Sequence, residues 1–365
     1  MKKYLLAITA AFALTTATQA QDSTAVTPAA SSLNTESWFK QNRVFQNLDL
    51  SVTAGTTGIG IDVASKIGDY VQLRAGYEFM PRFKKSIYFP VEVGGQPAKL
   101  YDADGNRIES RFDRLSEILT EVTGFQVEDE VEMVGKPTIN NFKFLVDVFP
   151  FKQNKHWHFT AGFYWGPSQF AYAENSVTAA TSLVAVGMYN SMYYHAINDL
   201  PVYDGYSIIS EDMRDKFISY GRMGFPIGEF TRDIYGYFPE TVYGEYGEII
   251  HEAGEYGLLY QKGETYNMEP GADGMVKVRA KSNSFKPYLG FGYGGRLIKN
   301  RDDWHVSFDA GAMFWGGTPA LYTHDGINLT EDITNARGKV GDWIDLLGGI
   351  KVYPVLSVRF TKTIF

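Results

Sequence analysis

The sequence predicts an all-β fold: a transmembrane antiparallel β-barrel of about eight strands, with ten as the alternative, carrying helical and irregular extracellular insertions. Three observations carry this reading. Apolar and polar residues alternate with period two in segment after segment, the pattern of strands with one apolar face. Beyond the first 20 residues no run reaches ~18 consecutive apolar residues, so a membrane-crossing chain must cross as strands in a closed barrel. Aromatic residues make up 15% of the chain, with 24 Tyr and 37 Gly, a mixture that suits a Tyr- and Gly-rich barrel.

The chain opens with Lys2 and Lys3, an apolar run from Leu5 to Leu14, and the small-residue site Thr18-Gln-Ala20. This is the form of a secretory signal peptide over residues 1–20, followed by a Thr/Ser/Ala-rich mobile leader over 21–46. No Cys occurs, so neither a lipid-attachment site nor a disulfide framework is expected. The formal charge of −8 and the pI near 5.4 argue against nucleic acid as a partner, since that role needs a basic stripe. Residues 47–365 are then the barrel, with outer insertions at 84–136, 168–282 and 317–352.

Within it, Leu50 and Val52 share one parity while Ile59, Ile61 and Val63 hold the other, so Gly55-Thr-Thr-Gly58 must reset the phase by a tight turn or a bulge. Val71, Leu73, Ala75, Tyr77 and Phe79 oppose Gln72, Arg74 and Glu78. Phe142, Phe144, Val146 and Val148 oppose Lys143 and Asp147, and Trp157, Phe159, Phe163 and Trp165 oppose His158 and Thr160. Later, Phe285, Leu289, Phe291 and Tyr293 oppose Lys286 and Gly residues, and Trp304, Val306, Phe308 and Phe314 oppose His305, Ser307 and Asp309. The last segment sets Leu356, Val358, Phe360 and Ile364 against Ser357, Arg359 and Thr361. Phe365 falls on the polar parity, so Phe360 and Ile364 carry the terminal apolar signal. Segments of this length, tilted as barrel strands are, span about 20–25 Å, the height of an outer-membrane apolar band. Trp157, Trp165, Trp304, Phe314 and Phe360 are the expected aromatic girdle.

Short connections at Ile67-Gly-Asp69, Pro150–Lys155 and near Leu297–Asp303 read as periplasmic turns, which sends the long insertions outside and ends the last strand in the periplasm. Thr56-Thr57 must then be a short outer turn for eight strands to alternate. In the insertions, Ile108, Phe112, Leu115, Ile118, Leu119 and Val122 predict a helix over 107–123. Residues 174–197 predict a second, with Asn175 or Ser176 as N-cap, and 329–347 a third. The piece from Glu229 to Asp273 carries ten acidic and two basic residues.

Lys286-Pro-Tyr-Leu-Gly-Phe-Gly-Tyr-Gly294, Phe308-Asp-Ala-Gly-Ala-Met-Phe-Trp-Gly-Gly-Thr-Pro319 and Tyr353-Pro-Val-Leu-Ser357, with the aromatic end, resemble small Gram-negative outer-membrane β-barrel proteins of the OmpW and OmpX style. Gly55–Gly60, Leu73–Tyr77 and Asp147–Phe151 fit the same group. The resemblance spans the strands, about half the chain, and leaves out 84–136 and 170–275. It implies a place in the cell outer membrane, with membrane lipids and the barrel-assembly machinery as partners. It brings no catalytic residue.

Candidate chemistry is sparse. Arg74, Glu78, Lys143, Asp147, Asp309 and Arg359 fall on inward faces and are expected to form a lumen charge network, either a plug of paired charges or a porin-like polar path. His305, Ser307 and Asp309 have the residue types of a base, nucleophile and orienting carboxylate, as a lipid A-modifying hydrolase would need, but they share the inward parity. Asp102-Ala-Asp-Gly-Asn106 reads as a hairpin turn rather than a Ca²⁺ loop. His156 and His158 lack a third ligand. The acidic runs read as solvated faces, and Tyr235, Tyr237, Tyr243, Tyr246, Tyr256, Tyr260 and Tyr266 either stack a ligand or pack the insert. No metal, cofactor or enzymatic activity is expected. The favoured role is structural or surface interaction, with an unknown extracellular ligand or protein meeting the cap; the alternative is a small-solute channel.

Overall fold

The computed structural model describes residues 45, 47–124, 126–151, 153–197, 211–238, 241–243, 249–271 and 273–365. The signal peptide and nearly all of the leader expected from sequence lie outside them, as does Tyr246. Eight antiparallel strands close into a barrel. They are β1 (Asp49–Gly55), β2 (Gly58–Ile67), β3 (Val71–Phe79), β4 (Asn140–Val148), β5 (Trp157–Trp165), β6 (Phe285–Arg296), β7 (Trp304–Phe314) and β8 (Val352–Thr363). Each strand pairs with its neighbour in sequence, and β8 returns to β1, setting Val52 opposite Phe360.

The phase break between Leu50 and Ile59 is a tight hairpin in which Gly55 pairs with Gly58, not a bulge. Gly58 takes φ 117, a left-handed geometry that glycine adopts without steric cost. That turn lies at the same end as the three long insertions, and the other three connections gather at the opposite end. Backbone bonds at this second end join the start of β1 to the chain end, with Leu48 N donating to Phe365 O at 3.1 Å and Ile364 N donating to Leu48 O at 2.8 Å.

Alternation places an apolar band outside, including Ile61, Phe159, Trp165, Leu289 and Phe308, all about 60% exposed. Trp157 and Trp165 sit at opposite ends of β5, Trp304 and Phe314 at opposite ends of β7, and Phe360 two residues inside the turn end. Trp304 is the half-buried member, lying 5.4 Å from the Lys362 ammonium.

The insertions hold more sheet than the helical and irregular reading supplied. A five-stranded sheet runs Ala320–Thr323, Lys277–Lys281, Gln169–Asn175, Glu130–Pro137, Lys85–Pro90. These segments adjoin β7, β6, β5, β4 and β3 in turn, so neighbours in the barrel stay neighbours above it. The barrel wall therefore continues on one side as a cap sheet. Among the described residues, four helices accompany it: α1 (Arg111–Thr123), α2 (Val177–Ile197), α3 (Glu211–Tyr220) and α4 (Gly338–Gly349). Helix α1 starts four residues later than the periodicity suggests, because Arg107–Ile108 pairs with Leu100–Tyr101 as a small hairpin. Leu115, Leu119, Leu183, Tyr189, Phe217, Ile227 and Phe230 are essentially fully buried together, giving the cap a hydrophobic core of its own.

Candidate functional site

Two sites emerge, one inside the barrel and one inside the cap. In the lumen, all six charged residues singled out from sequence are buried. Arg74 Nη2 donates to Asp147 Oδ1 at 3.0 Å, and Arg359 Nη1 approaches Asp147 Oδ2 at 3.4 Å. Lys143 Nζ lies 3.0 Å from Glu78 Oε2 and 2.9 Å from Asp62 Oδ1. Asp309 Oδ1 lies 2.7 Å from His158 Nε2 and 3.6 Å from Arg359. Asp62 and His158 are members that the charge list omitted. Both are legible as inward residues, Asp62 between outward Ile61 and Val63 and His158 between outward Trp157 and Phe159.

Small residues make room for these side chains. A Cβ at Gly292 would collide with the His158 ring, and one at Gly290 or Gly311 with the Tyr288 hydroxyl. The lumen also holds apolar side chains. Leu145, Tyr164, Tyr288, Met313, Trp315 and Val355 are buried in one apolar cluster, with Phe170 against Trp315 at 4.5 Å between ring centroids. Charged and apolar side chains interleave: on β4, Leu145 falls between Lys143 and Asp147, and it pairs directly with Arg74.

The residues suggestive of a hydrolase are not arranged as one. Ser307 Oγ donates to Asp309 Oδ2 at 3.2 Å and accepts from Arg359 Nε at 3.0 Å. The imidazole on Asp309 is His158, from the neighbouring strand arc, and no His305–Ser307 hydrogen bond occurs among the described residues. His156 bonds instead to the Gly294 carbonyl at 2.6 Å. Asp102 closes a turn, its Oδ1 accepting from Asp104 N at 2.9 Å and Asn106 N at 2.8 Å.

The cap contains a cavity of about 520 Å³ that nothing in the linear pattern announced. One wall is the cap sheet, the other the α4 residues Val340, Trp343 and Leu347 together with Phe225 and Ile227. Its cause is the register of the sheet. Gly135 pairs with Ala173, and Ala171 pairs with Ala280, so four small residues meet where larger ones would fill the space. On the strands continuing β4, β6 and β7 the cavity-facing residues keep the parity of the lumen-facing ones: Met133 with Lys143, Val278 with Lys286, Leu321 with Met313. On these three strands the cavity face continues the barrel's inner face. Of the Tyr-rich set, Tyr235, Tyr237 and Tyr256 are exposed, whereas Tyr266 is buried and donates to Asp325 Oδ2 at 2.9 Å. Burial and the Asp325 carboxylate push the Tyr266 phenol far above its ordinary pKa, so it stays a donor.

No protein-family model and no curated protein matches the chain. Among solved structures it is similar to Acinetobacter baumannii CarO2, at 14% identity over 87% of this chain and 98% of that one, with a TM-score of 0.34. It is also similar to Acinetobacter baumannii CarO, at 13% identity over 87% and 97%, with a TM-score of 0.33. The barrel assignment rests on the strand register alone.

Proposed function

We propose that this chain is an outer-membrane β-barrel whose lumen is held closed and whose working part is the cap, presented at the cell surface to an external ligand. The observation that carries the reading is the buried set of paired charges, Arg74, Lys143 and Arg359 against Asp62, Glu78, Asp147 and Asp309, interleaved with an apolar cluster that fills the rest of the lumen's width. Eight strands leave a lumen only wide enough for side chains. A small-solute channel, the second reading, would have to part these pairs, and stranding one buried charge costs about 3–5 kcal/mol. The outward apolar band supports lipid contact, because a surface that apolar is poorly suited to water.

Because the chain lacks Cys, placement is directly testable with single thiols. Tyr237→Cys, in the cap, should react with a membrane-impermeant maleimide on intact cells. Asn154→Cys, in a short turn, should react only after the outer membrane is permeabilised. The reverse pattern would overturn the reading.

A further inference from the structure

We infer that the cap cavity is a binding site for a single-chain anionic amphiphile, a long-chain carboxylate. This goes beyond the closed-barrel reading and rests on it only in needing the cap to face the medium. Three observations lead there. At about 520 Å³ the cavity lies within the ~300–1,000 Å³ range of pockets that enclose one small ligand. Its interior is apolar: Ile87, Val131, Met133, Phe170, Val278 and Leu321 line it without a buried charge, which suits a hydrocarbon chain. Its charged lining is basic. Lys85, Lys136, Arg337 and Lys339 line the cavity against a single carboxylate, Glu92, in a chain with 34 basic and 42 acidic residues.

Three of the four cations lie at the exposed margin, Lys85, Arg337 and Lys339, beside exposed Phe83 and Trp343. Lys136 is committed to Glu174 at 2.6 Å, and Lys339 donates to the Tyr88 carbonyl at 2.8 Å. Lys85 and Arg337 have no ion-pair partner among the described residues. They can receive a carboxylate head while its tail runs inward over Gly135, Ala171 and Ala173. A cationic amphiphile would meet like charge, and a neutral one would gain only the tail contacts.

The test uses the full-length barrel in saturated phosphatidylcholine nanodiscs, with empty nanodiscs as background and 11-(dansylamino)undecanoic acid as probe. Saturable binding of one probe per barrel above background is expected. Dodecanoate and hexadecanoate should displace it, each added CH₂ tightening binding by about fourfold while the tail stays enclosed. Hexadecanol should compete at least tenfold more weakly than hexadecanoate. Gly135→Trp should weaken probe binding at least tenfold, since a Cβ there meets nothing nearer than the Lys85 carbonyl at 3.6 Å and the larger side chain enters the cavity. If that variant does not refold, Ala173→Leu makes the same obstruction. Lys85→Glu with Arg337→Glu should erase the preference for carboxylate over alcohol while leaving the chain-length dependence. Binding no higher than in empty nanodiscs, or unchanged in a folded blocked variant, overturns the inference. Equal competition by alcohol and carboxylate in the parent protein overturns its anionic part. The closed barrel stands or falls separately, on conductance.

Discussion

Asp147 accepts hydrogen bonds from Arg74 and from the Thr160 hydroxyl, at 3.0 and 2.7 Å, and faces Arg359 as well. Such a carboxylate bridges two guanidinium groups inside the barrel. Asp147→Asn is expected to destabilise the barrel by about 3–5 kcal/mol, because it strands buried charge rather than removing it. Arg74→Met combined with Asp147→Leu should cost less than Asp147→Asn alone; urea midpoints of refolded protein measure both. At this scale the sequence was informative wherever parity alone decides the environment. Arg74, Lys143 and Arg359 could be placed inside by reading which side of the alternation they occupy. The pairing of His158 with Asp309 could not, because it joins positions 151 residues apart through two registers.

Local signals set the helices, and long-range registers set the sheets. Helix α1 begins at Ser110, whose Oγ accepts from Asp113 N at 3.1 Å while Asp113 Oδ2 accepts from Ser110 N at 2.8 Å. It ends at Gly124 with φ 72. Ser110→Ala should cost about 1 kcal/mol, seen as a lower midpoint for cap unfolding. Of the two N-caps considered for α2, Ser176 is the one used, its Oγ accepting from Ala179 N at 3.2 Å. Helix α3 leaves little periodic signal in the sequence, because it is short and Phe217 is the one fully buried side chain among its described residues. In the cap sheet the hydrogen bond from Lys136 holds the Glu174 carboxyl below its ordinary value of 4.5, with the Tyr172 hydroxyl helping. An unfolded chain therefore takes up that proton at higher pH than the folded cap does. The pair's stabilisation is present above about pH 4.5 and is lost as pH falls through the folded value. Lys136→Met should flatten that part of the cap's acid transition, and a pH series of unfolding midpoints reads it.

For the molecule as a whole, one run of neighbouring strands carries paired charges and an apolar cluster inside the barrel and lines an apolar cavity in the cap. The barrel was legible because its alternation is strong and its eight strands follow one another in sequence. The cap was legible only as helices and acidic loops. Its sheet is built from short segments, and those continuing β3 and β5 shift parity where they leave the barrel, with a bulge between Gln169 and Ala171. The cavity depends on Gly135, Ala171, Ala173 and Ala280 meeting across three strands, and no local pattern joins them. What the paired charges and the apolar cluster produce together is closure of the lumen, and single-channel recording in planar bilayers tests that most directly. The refolded protein should give no steady open steps at moderate voltage, while a variant with Arg74, Lys143 and Arg359 changed to Ala and Tyr164 and Tyr288 to Gly should conduct if it inserts. Reproducible, long-lived steps from the unaltered protein would contradict the closed barrel and restore the channel.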